Sequence, residues 1–278
     1  MHSTQRPKMI IGSIGSPFSH DLSSCHGHKP KNFVWMHNAN CPVQVYFEPS
    51  YNIQGIERIN AKKFLWLCES KEIYSKTYNN ILNNLDSYKS KYIKIFTHDK
   101  DILKIDSIFE YCPPASNKSW IRLKKINHKT RLTSMLCSGK NVTSGHKFRN
   151  NLMAFFKHKK LPVDLYGKGI NYIKYKETAL ADYCFSFVIE NGKYSNYYTE
   201  KIMDCFATGT IPIYHGSPEI FDLFNKDGII LLEDKIDFSM LTEDYYHSRI
   251  HAVVDNFERE QDHPIADDFL YNQIIKFI

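Results

Sequence analysis

The 278-residue sequence has no apolar run long enough to cross a bilayer, and no secretory leader is evident. The Asn117-Lys-Ser119 and Asn141-Val-Thr143 sequons are therefore expected to carry no glycan. No CxxC pair is present either. The seven cysteines (25, 41, 68, 112, 137, 184 and 205) are odd in number and widely spaced. Zinc-ribbon and disulfide-framework readings fall away, and the thiols are expected to be small buried hydrophobes in a reducing compartment. The absence of GxGxxG and of GxxxxGK[ST] excludes a dinucleotide fingerprint and an ATPase loop. With no internal repeat and no low-complexity segment, the chain reads as one large or two ordinary globular domains.

What is present is a globular composition, 42% hydrophobic and 24% charged, with a net charge of +6. Read along the whole chain the charges are scattered. A nucleic-acid reader would show a denser basic run, whereas a pocket for a small anion fits the same balance.

Short apolar runs alternate with helix-period segments, the pattern of α/β proteins with parallel sheets. Strands are expected at 9–11, 43–47, 63–68 and 92–97, with a helix over 74–88. The YCPPASNK stretch at 111–118 reads as a linker, because its prolines continue neither a helix nor a central strand. Beyond it come strands at 133–137, 163–166, 184–189, 211–214 and 228–232. The helices between them are expected from His146, over 176–182, 199–208 and 218–224, and a long one over 239–260 closes the chain. The division is 1–120 and 121–278, two Rossmann-like lobes with parallel sheets facing a cleft.

The stretch IENGKYSNYYTEK, 189–201, follows a strand and opens a helix, at the strand end where open parallel sheets bind ligands. With Thr199 as N-cap, Glu200 and Lys201 occupy the first helical turn. The carboxylate suits the positive end of the helix dipole; the lysine does not, at a cost of about 0.3–1 kcal/mol. Arg149 is expected in the first turn of the preceding long helix, with the same mismatch. Two such cations converging beside helix N–H groups would make a diphosphate site that needs no metal. SCHGH, 24–28, lacks further ligand spacing and reads as a surface loop.

The segment FVIENGKYSNYYTEKIMDCFATGTIPIYHGSPEI resembles the signature region of the α1,3-fucosyltransferase-type enzymes of glycosyltransferase family 10. Their pattern runs F-x-x-x-x-E-N, then Y-x-T-E-K, a helix, and G-T-[IV]-P-[IV]-Y-x-G. The similarity extends through KFRNNL and VDLYGKG, and is weaker in KFLWLCES and IFTHDK. Gly192 departs from the Ser or Thr that many members have after the Asn. The resemblance implies a GT-B fold, a GDP-sugar donor bound mainly by the C-terminal lobe, and transfer with inversion. It puts Asn191, Tyr197, Glu200 and Lys201 on donor-binding positions and Arg149 on the phosphate-contacting arginine. Glu69 falls on an N-terminal carboxylate that serves as base, and Glu200 is a second catalytic candidate facing the reacting carbon.

The expected function is thus fucose transfer from GDP-fucose to a hydroxyl of a glycan acceptor, in α1,3-type linkage. One carboxylate suffices, because a nucleoside diphosphate leaves without protonation. The rivals are a related transferase using another nucleotide sugar and an inactive carbohydrate-binding protein. No cofactor is expected to be required; a divalent ion would at most stimulate, without protein ligands. The expected partners are the donor and an oligosaccharide or glycan acceptor, with no nucleic acid and no transmembrane segment. The expected location is cytoplasmic, or peripheral to a membrane.

Overall fold

A computed structural model describes residues 8–15, 18, 22–47, 60–232 and 237–278. They form two compact units, one taking the chain up to Ser116 together with Pro264–Ile278, the other Asn117–His263. The expected division at 120 thus differs from the observed crossing, and the last fifteen residues return to the first unit.

The first unit is built on β1 (Met9–Ile14), β2 (Phe33–His37), β3 (Val43–Phe47), β4 (Lys62–Leu67), β5 (Lys94–Thr97) and β6 (Phe109–Tyr111). They pair in parallel in the order β2-β1-β3-β4-β5-β6. Successive strand residues face opposite sides, so the apolar run of β4 serves two cores. Phe64 and Trp66 join one cluster with Phe33, Val45 and Phe96, while Leu65 and Leu67 join another with Tyr46 and Ile95. Short helices α1 (Ser75–Asn83), α2 (Leu85–Lys89) and α3 (Lys100–Leu103) connect the strands. The helix expected over 74–88 is broken at Asn84, whose ψ of 34° is not helical. Strands β2 and β6 are both edge strands absent from the sequence reading. In β2, Val34 and Met36 are about half exposed, so no buried face marks it.

The second unit carries β7 (Arg131–Leu136), α4 (Ser144–Lys159), β8 (Asp164–Tyr166), β9 (Tyr183–Ile189), α5 (Glu200–Thr208), β10 (Ile211–His215) and β11 (Ile230–Leu231). The sheet order is β11-β10-β9-β7-β8, again parallel throughout. Phe185, Phe187 and Ile189 pack on one face, whereas Val188 meets Ile202, Met203 and Phe206 of α5 on the other. The segments expected to be helical at 176–182 and 218–224 shrink to 3-10 turns, Lys176–Ala179 and Pro218–Asp222.

The single closing helix expected over 239–260 is two helices, α6 (Glu243–Ser248) and α7 (Ile250–Asp262), parted at Arg249. After Pro264 a further helix, α8 (Ala266–Ile274), places Ala266, Leu270 and Ile274 in the first unit's core. Ser24 N–H and Oγ and Trp35 Nε1 all donate to the buried Asp267 carboxylate. None of the seven cysteines is in a disulfide. Among the described residues no helix is long and apolar enough to cross a membrane.

Candidate active site

Leaving β7, the chain passes to β8 on one side and later returns to β9 on the other. That reversal opens a crevice beyond the carboxyl ends of β7 and β9, where open parallel sheets take their ligands. Helix α4 begins after β7, and the loop leading to α5 begins after β9.

The two beginnings are packed backbone to backbone. Gly145 N–H donates to Asn191 O at 3.0 Å, and a Cβ on Gly145 would lie 2.0 Å from Glu190 O. Only glycine admits this approach. A Cβ on Gly192 would lie 2.3 Å from the Tyr194 ring. The ring fills the space a Ser or Thr side chain would need.

The amino end of α4 is closed. Thr143 Oγ1 accepts from His146 N–H and His146 Nδ1 accepts from Thr143 N–H, each at 3.2 Å. The His146 imidazole thus commits one nitrogen to the cap. The amino end of α5 differs: Thr199 stands at the N-cap, but its side chain makes no capping bond.

Thr199 is instead gripped by Glu190, which is fully buried. Glu190 Oε1 accepts from Thr199 N–H at 2.9 Å, and Oε2 accepts from Thr199 Oγ1 at 2.8 Å and from Lys201 Nζ at 3.3 Å. Lys201 also donates to Thr199 Oγ1 at 2.8 Å. Lys201 is the second residue of α5, in the first turn as expected, and its misfit with the helix dipole is offset by this buried carboxylate.

Arg149 is not in the first turn of its helix. The helix starts at Ser144, so Arg149 is the sixth residue; helical side chains lean toward the amino end, and a long one reaches back over a turn. Arg149 is only 4% exposed, and its Nε and Nη2 have no hydrogen-bond partner. Burial lowers its pKa, against the opposing pull of Cys137, Glu190 and Glu200.

Glu200 and Asp204 lie one turn apart on α5 and share Lys176, whose Nζ is 3.3 Å from Glu200 Oε1 and 2.6 Å from Asp204 Oδ2. The same ammonium sits 4.2 Å from the Trp120 ring centroid. Burial would raise the Glu200 carboxyl, but Lys201 and Lys176 outweigh it and hold the pKa down at about 2. Glu200 is therefore an anion throughout the working range and does not serve as a proton shuttle in this state.

Asn191 Nδ2 donates to the Tyr197 hydroxyl at 3.2 Å. Tyr197 is 1% exposed, so its ring lies beneath the loop and its hydroxyl orients Asn191. At the end of β10, His215 stacks on Phe148 with ring centroids 4.3 Å apart, beside a small pocket lined by Lys193, Gly216, Pro218 and Leu231. Glu69 belongs to the first unit. It follows β4, its Oε2 accepts from Ser70 N–H at 3.2 Å, and its carbonyl accepts from the Tyr78 hydroxyl at 2.9 Å. Among the described residues no group of three or more His, Cys, Asp and Glu is gathered to hold a metal ion.

Against known proteins, residues 126–241 match the family model described as glycosyltransferase family 10 (fucosyltransferase), C-terminal. Over those residues the chain is similar to the carboxyl-terminal domain of that family. The α-(1,3)-fucosyltransferase FucT of Helicobacter pylori is 34% identical over 116 residues, which are 41% of this chain and 21% of that protein. The chain thus spans about a fifth of the length of that curated relative. Two crystal structures of α1,3-fucosyltransferase are similar across both units. The one with GDP has a TM-score of 0.52 at 16% identity, covering 96% of this chain and 94% of that one. The one with GDP-fucose has a TM-score of 0.50 at 19% identity, covering 92% of this chain and 83% of that one. At such identities the likeness is one of fold, and the fold is of GT-B type.

Within residues 126–241 the structure brings together Arg149, Asn191, Tyr197, Glu200 and Lys201. It adds three residues that sequence reasoning passed over: Glu190, Lys176 and Asp204. Glu190 stood in the quoted motif next to Asn191, but its partners lie nine and eleven residues on. Lys176 was hidden in a segment read only as helix. Of the cations at this site, Lys176 and Lys201 have carboxylates within ion-pair distance; Arg149, among the described residues, has none.

Proposed function

We propose that the family 10 domain binds GDP-fucose with its diphosphate at the amino end of α5, and that the protein transfers fucose with inversion to a hydroxyl of a glycan acceptor in α1,3-type linkage. The observation carrying this reading is Arg149: a buried guanidinium with two nitrogens lacking a hydrogen-bond partner, at the convergence of two helix starts. Each unmet buried polar group costs about 1–3 kcal/mol. A ligand bringing phosphate oxygens removes that cost and gains charge-assisted bonds. The amino end of α5, which the Thr199 side chain does not cap, and the Lys201 charge favour the same ligand.

In the proposed reaction the acceptor oxygen attacks the anomeric carbon of the donor and the bond from that carbon to the β-phosphate oxygen breaks. The acceptor proton passes to a carboxylate, for which Glu69 is proposed. The departing diphosphate gains charge, offset by Arg149, Lys201 and the α5 dipole. Glu200, held as an anion, faces the positive charge that grows on the sugar ring. No metal enters this sequence, so chelator is expected to leave turnover within about twofold.

A thermal-shift panel of nucleotide sugars, followed by a GDP-release assay with oligosaccharide acceptors, tests the reading. GDP-fucose should stabilise more than UDP- or CMP-sugars, and GDP release should depend on acceptor. A UDP-sugar stabilising most would overturn the donor assignment. Stabilisation without transfer to any acceptor would identify a binding protein that has lost turnover. Glu69→Ala should spare GDP binding and abolish transfer; surviving transfer places the base elsewhere.

A further inference from the structure

Charge that looks dispersed over the whole chain is segregated within the second unit. From Lys118 to Lys176 the sequence holds fifteen lysines and arginines and a single acid, Asp164, a net of +14. From 177 to 263 it holds seventeen acids and six lysines and arginines, a net of −11. The fold gives this division a spatial meaning. The basic segment contains β7, α4 and β8, and β8 is the edge strand of the sheet. The acidic segment contains β9, α5, β10, β11, α6 and α7, with β11 the opposite edge strand; among the described residues only Lys118 and Lys124 of the basic segment reach across to α7, at Glu260.

Ten of the fifteen cations are exposed. Among the described residues only two of these ten reach a carboxylate: Arg122 with Glu177 at 3.6 Å and Arg131 with Asp164 at 3.3 Å. The one acid of the segment is therefore already neutralised. Lys157 and Lys159 suit the carboxyl end of α4 and its dipole. That local role does not extend to Lys125, Lys140, Lys168 or Lys174.

The same segment carries the most exposed apolar side chains of the described residues: Leu123 at 76%, Tyr172 at 75% and Val142 at 70%. Phe155, beside the Lys157-His-Lys-Lys160 run, is 47% exposed. Tyr175 is covered by Arg122, whose guanidinium lies 3.5 Å from the ring centroid, with Lys174 at 5.1 Å. Cations interleaved with protruding apolar and aromatic groups along this segment match a broad anionic surface with an apolar layer beneath it.

We propose that this basic edge of the second unit is a docking face for an anionic lipid bilayer. The lysines would lie at headgroup level, where each contributes roughly a fivefold gain in partition, and the exposed apolar side chains would enter the interface. The proposal stands apart from the donor reading, since the exposed lysines it uses are not in the nucleotide site.

The test is co-sedimentation of the full chain with large vesicles of phosphatidylcholine alone or with 30 mol% (approximately) phosphatidylserine, at low and physiological salt. Binding is expected only with phosphatidylserine and should weaken as salt rises. Charge reversal of Lys157, Lys159, Lys160 and Lys168 to Glu should lower partition by more than about a hundredfold, with GDP affinity as the check that the protein is folded. Lys226→Glu, in the acidic segment, should leave partition unchanged. No binding to anionic vesicles at low salt overturns the proposal. So does partition that survives the fourfold reversal, or tighter binding to single-stranded polyuridylate than to the vesicles.

Discussion

An arginine at 4% exposure with two nitrogens lacking a hydrogen-bond partner works against the stability of the ligand-free protein. Arg149→Met keeps an unbranched chain and removes the buried charge. The ligand-free protein is expected to gain about 2–4 °C in Tm, while GDP affinity falls ten- to a hundredfold, roughly one charge-assisted hydrogen bond. Calorimetry and a GDP titration read both halves; a lower Tm with unchanged affinity would remove Arg149 from the site. Glu190 is the opposite case. It joins β9 to the start of α5 through Thr199 and Lys201, so Glu190→Ala should cost about 2–4 kcal/mol in denaturant unfolding. A loss under about 0.5 kcal/mol would show that the grip is not structural. Arg149 was legible as a candidate because a cation near a helix start is conspicuous; its lack of a partner was not. Glu190 read as an ordinary acid after a strand, since nothing local announces bonds that close only when the loop folds back.

At the scale of elements, the strands that cross the sheet centres were readable, as were the second unit's edges β8 and β11, but the first unit's edges β2 and β6 were not. Strand β9 is seven consecutive buried residues, a run that sequence displays directly. Strands β2 and β6 are defined by pairing with β1 and β5, not by their own pattern. The closing helices failed for a related reason: the apolar period continues through Arg249, but the backbone turns there and again at Pro264. His263, at the end of α7, offers a test. Burial, with Lys118 nearby, pushes its imidazole down to about 4 from an ordinary 6.5. The unfolded chain therefore takes up a proton below 6.5 that the folded protein refuses. Stability should fall as pH drops from about 6.5 to about 4, with a slope approaching 1.4 kcal/mol per pH unit. Glu200, with its pKa lowered to about 2, weakens the fold only below about 4.5 and stays silent above that. Denaturant midpoints of wild type and His263→Gln between pH 4.5 and 7 should converge at the acid end. Parallel curves would assign the acid loss to another group.

Across the whole molecule, the last fifteen residues decide how the first unit is completed. Leu270 and Ile274 are fully buried there, and Asp267 takes bonds from Ser24 and Trp35. Two such aliphatic side chains contribute about 3–6 kcal/mol together, a large share of a domain's net stability. Ending the chain at His263 should therefore abolish hydrogen-exchange protection in β1 to β4 while β7, β9 and β10 stay protected. Retained protection in β1 to β4 would show that α8 is dispensable. The sequence by itself determined the α/β class, the parallel central strands, the motif at 185–216 and the place of Glu200 and Lys201 in the first turn of α5, because apolar runs, turn chemistry and a spaced motif are local properties. Tertiary structure alone decided the edge strands β2 and β6, the return of α8, the grip of Glu190 and the unpaired state of Arg149. Each depends on groups far apart in sequence, and whether a buried charge has a partner is known only when the elements around it have packed.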